Sequence, residues 1–468
     1  MLYKNIEGML FINLNVEAKL DKQFIPLSLV CRNMREATKD NGQDIIIAIK
    51  RNKGFTSTYK TRVFLDGTGY DNENFNFIER ITKSLLWIAG GYQIYIAGSD
   101  LIGNRIKEAY THGGLRDFDV CFMERVYEQT FEVIVCSLED APKDKSSAHQ
   151  VGRHPGGCRI GFDAGGSDRK VSAVIDGKSV YSEEVIWFPK NNSNPEYHYH
   201  EIYEAMKTAA SYMPRVDAIG VSSAGICIEN KIKVSSLFMK VGEDDFNNKV
   251  KNIYIDVANE VCQNVPTLVA NDGDVAALAG AIDLDDDGIL GIAMGTSEAG
   301  GYVDMQGNIT GWLNELAFVP VDFCKDAIID EWSGDYGCGV KYFSQDAIVK
   351  LAHYASIDFD ERLSPAEKLK VVQELMKVDD ERAKNIFETV GVYLGYAIAY
   401  YNEFYDIKHI IIMGRVTSGG GGKLILQSAQ QVLREEFPEL SKKIKLHIPD
   451  ENARRFGQSI AAASLPKI

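Results

Sequence analysis

The chain has 468 residues, enough for two or three domains. With 45% hydrophobic and 25% charged residues, it has the composition of a globular protein with a sizeable core. Its 66 Asp and Glu against 51 Lys and Arg give a net charge of −15, which disfavours general binding to nucleic acid or an anionic membrane.

No apolar run reaches the roughly 18 residues of a membrane helix. The start, Met1-Leu-Tyr-Lys-Asn-Ile-Glu-Gly8, lacks the charged-then-apolar order of a signal peptide. The eight cysteines are scattered and include no C-x-x-C pair. A cytoplasmic protein is expected, with no nucleic-acid and no membrane partner.

In chain order, residues 44–50, 59–65, 93–97 and 131–136 are rich in β-branched and aromatic side chains and read as strands. Residues 77–87 and 100–109 carry helical spacing. The mixture predicts an α+β domain over residues 1–150, of unassigned role and without a helix-turn-helix signature. Residues 137–156 are polar, aperiodic and contain Pro142 and Pro155, so they read as a linker.

From Cys158 the pattern becomes strands alternating with helices, which predicts α/β layers. Strands are expected over 159–164, 170–175, 181–188, 218–223 and 268–270. Helices are expected over 199–210, 249–263 and 274–282. The alternation restarts at Gly288, with a long helix over 382–404 before an apolar strand, His409-Ile-Ile-Ile-Met413.

Two glycine-bearing turns stand out. Asp163-Ala-Gly-Gly-Ser167 follows the first strand, and Gly295-Thr-Ser-Glu-Ala-Gly-Gly301 follows the apolar run Gly288–Met294. Small residues let backbone N–H groups approach a phosphate, and the hydroxyls add donors. Their repetition suggests a duplicated phosphate grip, whereas each alone also fits a plain hairpin turn. No G-x-x-x-x-G-K-[ST] loop is present.

Between these turns lies Val269-Ala-Asn-Asp-Gly-Asp274, at a predicted helix start. Asn271 and Asp272 suit a helix cap, and Asp272 also suits a general base. Asp274 is the competing carboxylate, suited to complement the helix dipole.

In this order the motifs resemble the ROK family of sugar kinases, over roughly residues 158–468. The resemblance implies a two-lobed actin-like ATPase (ribonuclease H-like) fold, with residues 158–282 plus 452–468 as the first lobe and 283–451 as the second. It implies ATP-dependent phosphorylation of a hydroxyl on a sugar or sugar derivative. Asp163, Gly165, Gly166, Ser167, Gly295, Thr296 and Ser297 would hold ATP and Mg2+, with Asp163 near the metal through water. Gly414, Gly419 and Gly420 match the adenosine-binding turn, although a run of glycines also fits a flexible loop. Ser223 and Gly225 would line the sugar pocket, where Ala224 replaces the family's usual proline. Asn271 and Glu315 would orient the sugar, and Asp272 would take its proton. A homodimer is expected by the same resemblance.

Departures from the family pattern lie on the substrate side. Glu315-Leu-Ala-Phe318 keeps the family's glutamate and loses its histidine. In Glu331-Trp-Ser-Gly-Asp-Tyr-Gly-Cys338 the glycines Gly334 and Gly337 and the thiol of Cys338 match, while Glu331 and Ser333 replace thiolates. Even with Cys324 the donors are too few for a tetrahedral site, so no zinc is expected. Val340 stands where the family has a sugar-binding glutamate. A non-catalytic sugar or nucleotide sensor is therefore the second reading, and a partner-binding scaffold the third.

Other features read as structural. His198 and His200 are expected on a solvated surface rather than as a metal pair. Asp283–Asp287 lacks calcium-loop spacing and reads as a turn. Tyr393, Tyr396, Tyr400, Tyr401, Phe404 and Tyr405 follow helical spacing and suggest core or a dimer contact.

Overall fold

The computed structural model describes residues 3–6, 10–146, 151–449 and 451–468, with side chains over 12–146, 151–449 and 456–468. The chain divides into two compact units.

The first unit comprises Ala148–Gly291, Gly301–Gly311 and Pro449–Ile468. Its five-stranded sheet runs in the order Thr267–Asn271, Ala218–Ser223, Cys158–Ala164, Asp168–Ile175, Lys178–Ile186. The first three strands are parallel and the last two form antiparallel hairpins. Every residue of Cys158–Ala164 is buried, as expected of a central strand covered on both faces. The helix Glu451–Ala463 packs directly on this sheet. A Cβ at Gly161 or Gly220 would collide with the carbonyl oxygens of Ser459 or Ala462, so glycine sets that close approach. Pro195–Ser211 and Ile253–Val261 add Ile202, Met206, Tyr254 and Val257 to the core.

The second unit comprises Met1–Ser147, Ile292–Gly300 and Trp312–Ile448. A four-stranded sheet runs Glu298–Val303, Ile289–Met294, His409–Met413, Lys445–His447, of which residues 298–300, 292–294, 409–413 and 445–447 fall in this unit. The long helix Glu381–Tyr401 packs on Gly420–Glu436. Its tyrosines 393, 396, 400 and 401 are buried within the unit, so the aromatic series is core. Tyr393 donates to Asp21 at 2.6 Å, and the hydroxyls of Tyr400 and Ser84 lie 2.6 Å apart.

The other four-stranded sheet belongs to the N-terminal region, in the order Thr56–Phe64, Gly42–Lys50, Gln93–Ala97, Glu132–Cys136. All four strands were legible in the sequence. The helices Leu27–Ala37 and Asp117–Tyr127 were not anticipated. Asp144 and Lys145, expected in a linker, instead pair with Thr58 and Thr56 at the sheet edge.

His198 corrects an expectation: it is fully buried in the helix Pro195–Ser211, with its ring edge-on to that of Phe238 at 4.9 Å, while His200 is exposed. Side chains two apart on a helix point in different directions, so these two make no pair.

Candidate functional site

The residues singled out by sequence fall into two groups, one in each unit. In the first unit they gather where the parallel strands end, the side of an α/β sheet where ligands usually bind. Asp163 is the penultimate residue of Cys158–Ala164 and is 4% exposed. Ser222, on the neighbouring strand, donates its hydroxyl to Asp163 Oδ1 at 2.6 Å. Burial pushes the Asp163 carboxyl up to about 6, against the opposing pull of Ser222 and Lys170; Asp272 adds a smaller upward push.

Asn271 ends the strand Thr267–Asn271 and caps the helix Asp272–Leu284. Its Oδ1 accepts from the Gly273 N–H at 2.7 Å, and its Nδ2 donates to the Gly225 carbonyl at 2.9 Å. The side-chain amide of Asn271 thus ties the strand end to the Ser223–Gly225 turn. Asp272 follows in the first helical turn, partly exposed, with Oδ1 accepting from Gly273 N–H at 3.0 Å. Burial raises its carboxyl above the usual range, against the Gly273 N–H and nearby Lys190. Asp274 is buried and accepts the Tyr302 N–H at 3.1 Å.

Ser223 is fully buried, with its hydroxyl 2.8 Å from that of Tyr254. Gly165, Gly166 and Ser167 form the turn between Cys158–Ala164 and Asp168–Ile175. Trp187 Nε1 donates to the Gly165 carbonyl at 2.7 Å, and Asp168 bonds both Ser167 at 2.9 Å and Lys170 at 2.7 Å. Lys190 lies against Gly166, where a Cβ would come within 3.1 Å of Nζ. Sequence reasoning missed Ser222, Lys170 and Lys190, because no local motif marks a residue that converges only through sheet pairing.

In the second unit, Gly295, Thr296 and Ser297 form the turn between Ile289–Met294 and Glu298–Val303. The Gly295 N–H donates to the Ser297 carbonyl at 2.9 Å, and Thr296 and Ser297 are exposed. Gly414, at φ 100°, lies so close to Met294 that a Cβ would overlap its backbone. Glycine there joins the two turns. Gly419 is the N-cap and Gly420 the first residue of the helix Gly420–Glu436, so the glycine run is the opening of a helix rather than a loose loop. A cavity of about 550 Å³ opens here, lined by Gly419–Gly421, Ser418 and Arg415 and by Leu369, Lys370, Gln373 and Lys377 of the helix Pro365–Lys377. Glu374 also lines the cavity and pairs with Lys377 at 2.7 Å, which leaves Lys370 and Arg415 beside a helix N-terminus that suits an anion.

Glu315 belongs to this second unit, as the N-cap of a short turn, Leu316–Phe318. The Phe318 ring lies 4.2 Å from that of Trp87, tilted by 34°, within a cluster that includes Phe118 and Phe122. Val340 sits in the turn Gly339–Lys341 and gives its carbonyl to Ser344 at 2.6 Å.

In the stretch Glu331–Cys338, Ser333 donates to Asp330 at 2.6 Å, and Asp335 is buried among three cations. Arg80, Lys83 and Arg116 reach it at 2.9, 2.7 and 2.8 Å. Burial pushes the Asp335 carboxyl up, but Arg80 and Lys83 outweigh it and hold the group below its usual range.

The ROK family sequence model matches residues 159–461. The chain belongs to the ROK family. No curated protein matches it. The ROK hexokinase of Thermus thermophilus is 19% identical, over 66% of this chain and 97% of its own, with a TM-score of 0.50. A ROK family transcriptional regulator, a homolog of the E. coli MLC protein, is 18% identical over 66% of this chain and 78% of its own, also at 0.50. A ROK family glucokinase from Streptomyces griseus, in complex with glucose and AMPPNP, is 20% identical over 66% and 99%, at 0.49. At such identities the likeness concerns the fold, which is the actin-like ATPase fold of these ROK proteins. The N-terminal region lies outside the ROK match. Among the described residues, no helix is long and apolar enough to cross a membrane.

Proposed function

We propose that this ROK protein transfers a phosphoryl group from ATP to a hydroxyl of a sugar or sugar derivative, with Asp272 as general base. The observation that carries this reading is Asn271–Asp272 at a helix start, on the same strand-end edge as the buried Asp163–Ser222 pair. Asp272 keeps an accessible surface and a raised proton affinity, as a base for an alcohol requires. Asn271 spends its amide on Gly225 and Gly273, so it orients the base and the Ser223–Gly225 turn as well as a sugar.

Asp163 fits Mg2+: it is a hard oxygen donor whose hydrogen bond from Ser222 leaves the other carboxylate oxygen for a metal-bound water. Mg2+ bound to ATP would spread the charge that builds on the transferred phosphoryl. Lys190 and the Gly165–Ser167 turn supply a cation and donors for phosphate; considered within the second unit by itself, Gly295–Ser297 offer backbone N–H and hydroxyl donors. Within the second unit, the cavity at Gly419–Gly421 would take an adenosine, with Gly420 at its helix start, while Gly414 admits the Met294 backbone. Glu315 would orient the sugar. The domain boundaries at 150, 282 and 451, the cytoplasmic location and the homodimer belong to the same reading.

The test is ATP consumption over hexoses, N-acetylhexosamines and pentoses, with product identified by mass. One phosphorylated sugar supports a kinase. The second reading, a sensor that binds sugar or nucleotide without turnover, is favoured by Phe318, whose ring is committed to the Trp87 cluster, and by apolar Val340. Thermal stabilisation by a sugar with no ATP consumption would select it.

A further inference from the structure

The N-terminal region carries a donor set that neither the ROK match nor the sequence motifs include. The helix Asp117–Tyr127 presents Asp117, Cys121 and Glu124 at positions i, i+4 and i+7, which share one face. His112 stands beside that face. Its Nδ1 is 3.7 Å from Cys121 Sγ and 3.8 Å from Asp117 Oδ1, and Sγ is 3.8 Å from Oδ1.

These three atoms form a nearly equilateral triangle. Three corners of a tetrahedron with such edges lie about 2.3 Å from its centre, close to zinc–sulfur bonds of about 2.3 Å and slightly beyond zinc–nitrogen and zinc–oxygen bonds of about 2.0–2.2 Å. Contraction by a few tenths of an ångström completes the fit. The side chains of His112 and Asp117 are 62% and 51% exposed, so they have room to move.

A second observation points the same way. His112 Nε2 faces Glu124 Oε2 at 3.1 Å, and Glu124 Oε1 is fixed by the Phe131 N–H at 2.8 Å. A carboxylate taking one imidazole N–H directs the other nitrogen's lone pair outward, the usual support of a metal-bound histidine. Here that lone pair faces the thiol and the carboxylate. Asp117 Oδ1 is oriented in turn by the Gly113 N–H at 2.8 Å. An acidic patch alone would attract calcium or magnesium weakly; nitrogen and sulfur donors select a softer ion.

We propose that His112, Asp117 and Cys121 bind a divalent transition-metal ion, zinc foremost, with water in the fourth position and Glu124 orienting the imidazole. Cys121 binds as the thiolate and its proton passes to solvent. The site is separate from Glu331–Cys338 and does not rest on the kinase reading.

The test uses the metal-stripped full chain titrated with Co2+, whose bond to a thiolate produces a near-ultraviolet charge-transfer band. The expected result is one equivalent bound, a band that Zn2+ abolishes by displacement, and its loss in Cys121→Ser. Cys324→Ser should retain it. Glu124→Gln should weaken binding by roughly 10–100-fold, the usual effect of removing such a partner. A band that persists in Cys121→Ser, or no band at a large excess of cobalt, overturns the proposal. Cys121 is exposed, so circular dichroism of Cys121→Ser should match the parent and remove unfolding as an explanation.

Discussion

Glu315 donates its backbone N–H to the carbonyl of Trp87 at 3.1 Å, and the preceding Asn314 donates to Ile88 at 3.0 Å. The C-terminal end of the helix Asp71–Ala89 therefore anchors the segment that carries the family's retained glutamate. Trp87 adds its ring to Phe318 and its Nε1 N–H to the buried Asp119. The N-terminal region is thus part of the packing that fixes Glu315.

Replacing Trp87 with Ala should destabilise the protein by about 3–5 kcal/mol, the usual cost of truncating a buried aromatic. It also strands Asp119 without its indole donor. Chemical denaturation of the full chain checks the magnitude. A loss below about 1 kcal/mol would mean that the aromatic cluster contributes little.

Asp335→Ala should cost about 3–5 kcal/mol, because Arg80, Lys83 and Arg116 would lose a shared buried partner. The exposed Arg362–Asp360 pair provides the contrast: Asp360→Ala should leave the unfolding curve essentially unchanged, because solvent screens the pair. Parallel unfolding curves of the two variants give the comparison directly.

Asp272→Asn should lower turnover by roughly 10²–10⁴-fold while ATP affinity stays within a few-fold. Retained turnover would rule out Asp272 as the base. Both Asp163 and Asp272 have raised proton affinities, so the active carboxylate forms are lost at higher pH than for ordinary aspartates. The rate should therefore fall with decreasing pH sooner than an ordinary aspartate, titrating at about 4, would produce, because the base Asp272 is raised. A pH–rate profile flat down to pH 5 would contradict this.

Glu298 gives a prediction about stability. It is buried, Tyr401 reaches Oε1 at 3.4 Å, and burial pushes its carboxyl up to about 8. From its ordinary value of 4.5 to about 8 the folded protein holds a proton that the unfolded chain has released. Stability should thus decline as pH rises through that window, by at most about 1.4 kcal/mol per unit from this group. Glu298→Gln should flatten the part of the decline between pH 7 and 8, as read from urea unfolding at each pH. An unchanged slope would mean that Glu298 does not hold the proton.

The sequence alone determined the parts whose physics is local. Alternation of apolar residues marked the strand at 159–164, a continuous apolar run marked His409–Met413, and glycine with hydroxyl residues marked the turns at 165–167 and 295–297. Asn271 was legible as a cap because its side chain satisfies an N–H two residues away. The order of these motifs carried the ROK resemblance, with the departures at Phe318 and Val340. Tertiary structure alone decided which distant residues meet. Ser222 reaches Asp163 because parallel strands set them side by side, Trp87 holds Glu315 through a backbone bond, and Asp335 collects three cations from helices far away in the chain. Sheet register and helix docking arise from burial summed over many side chains, so the spacing of residues along the chain does not encode such meetings.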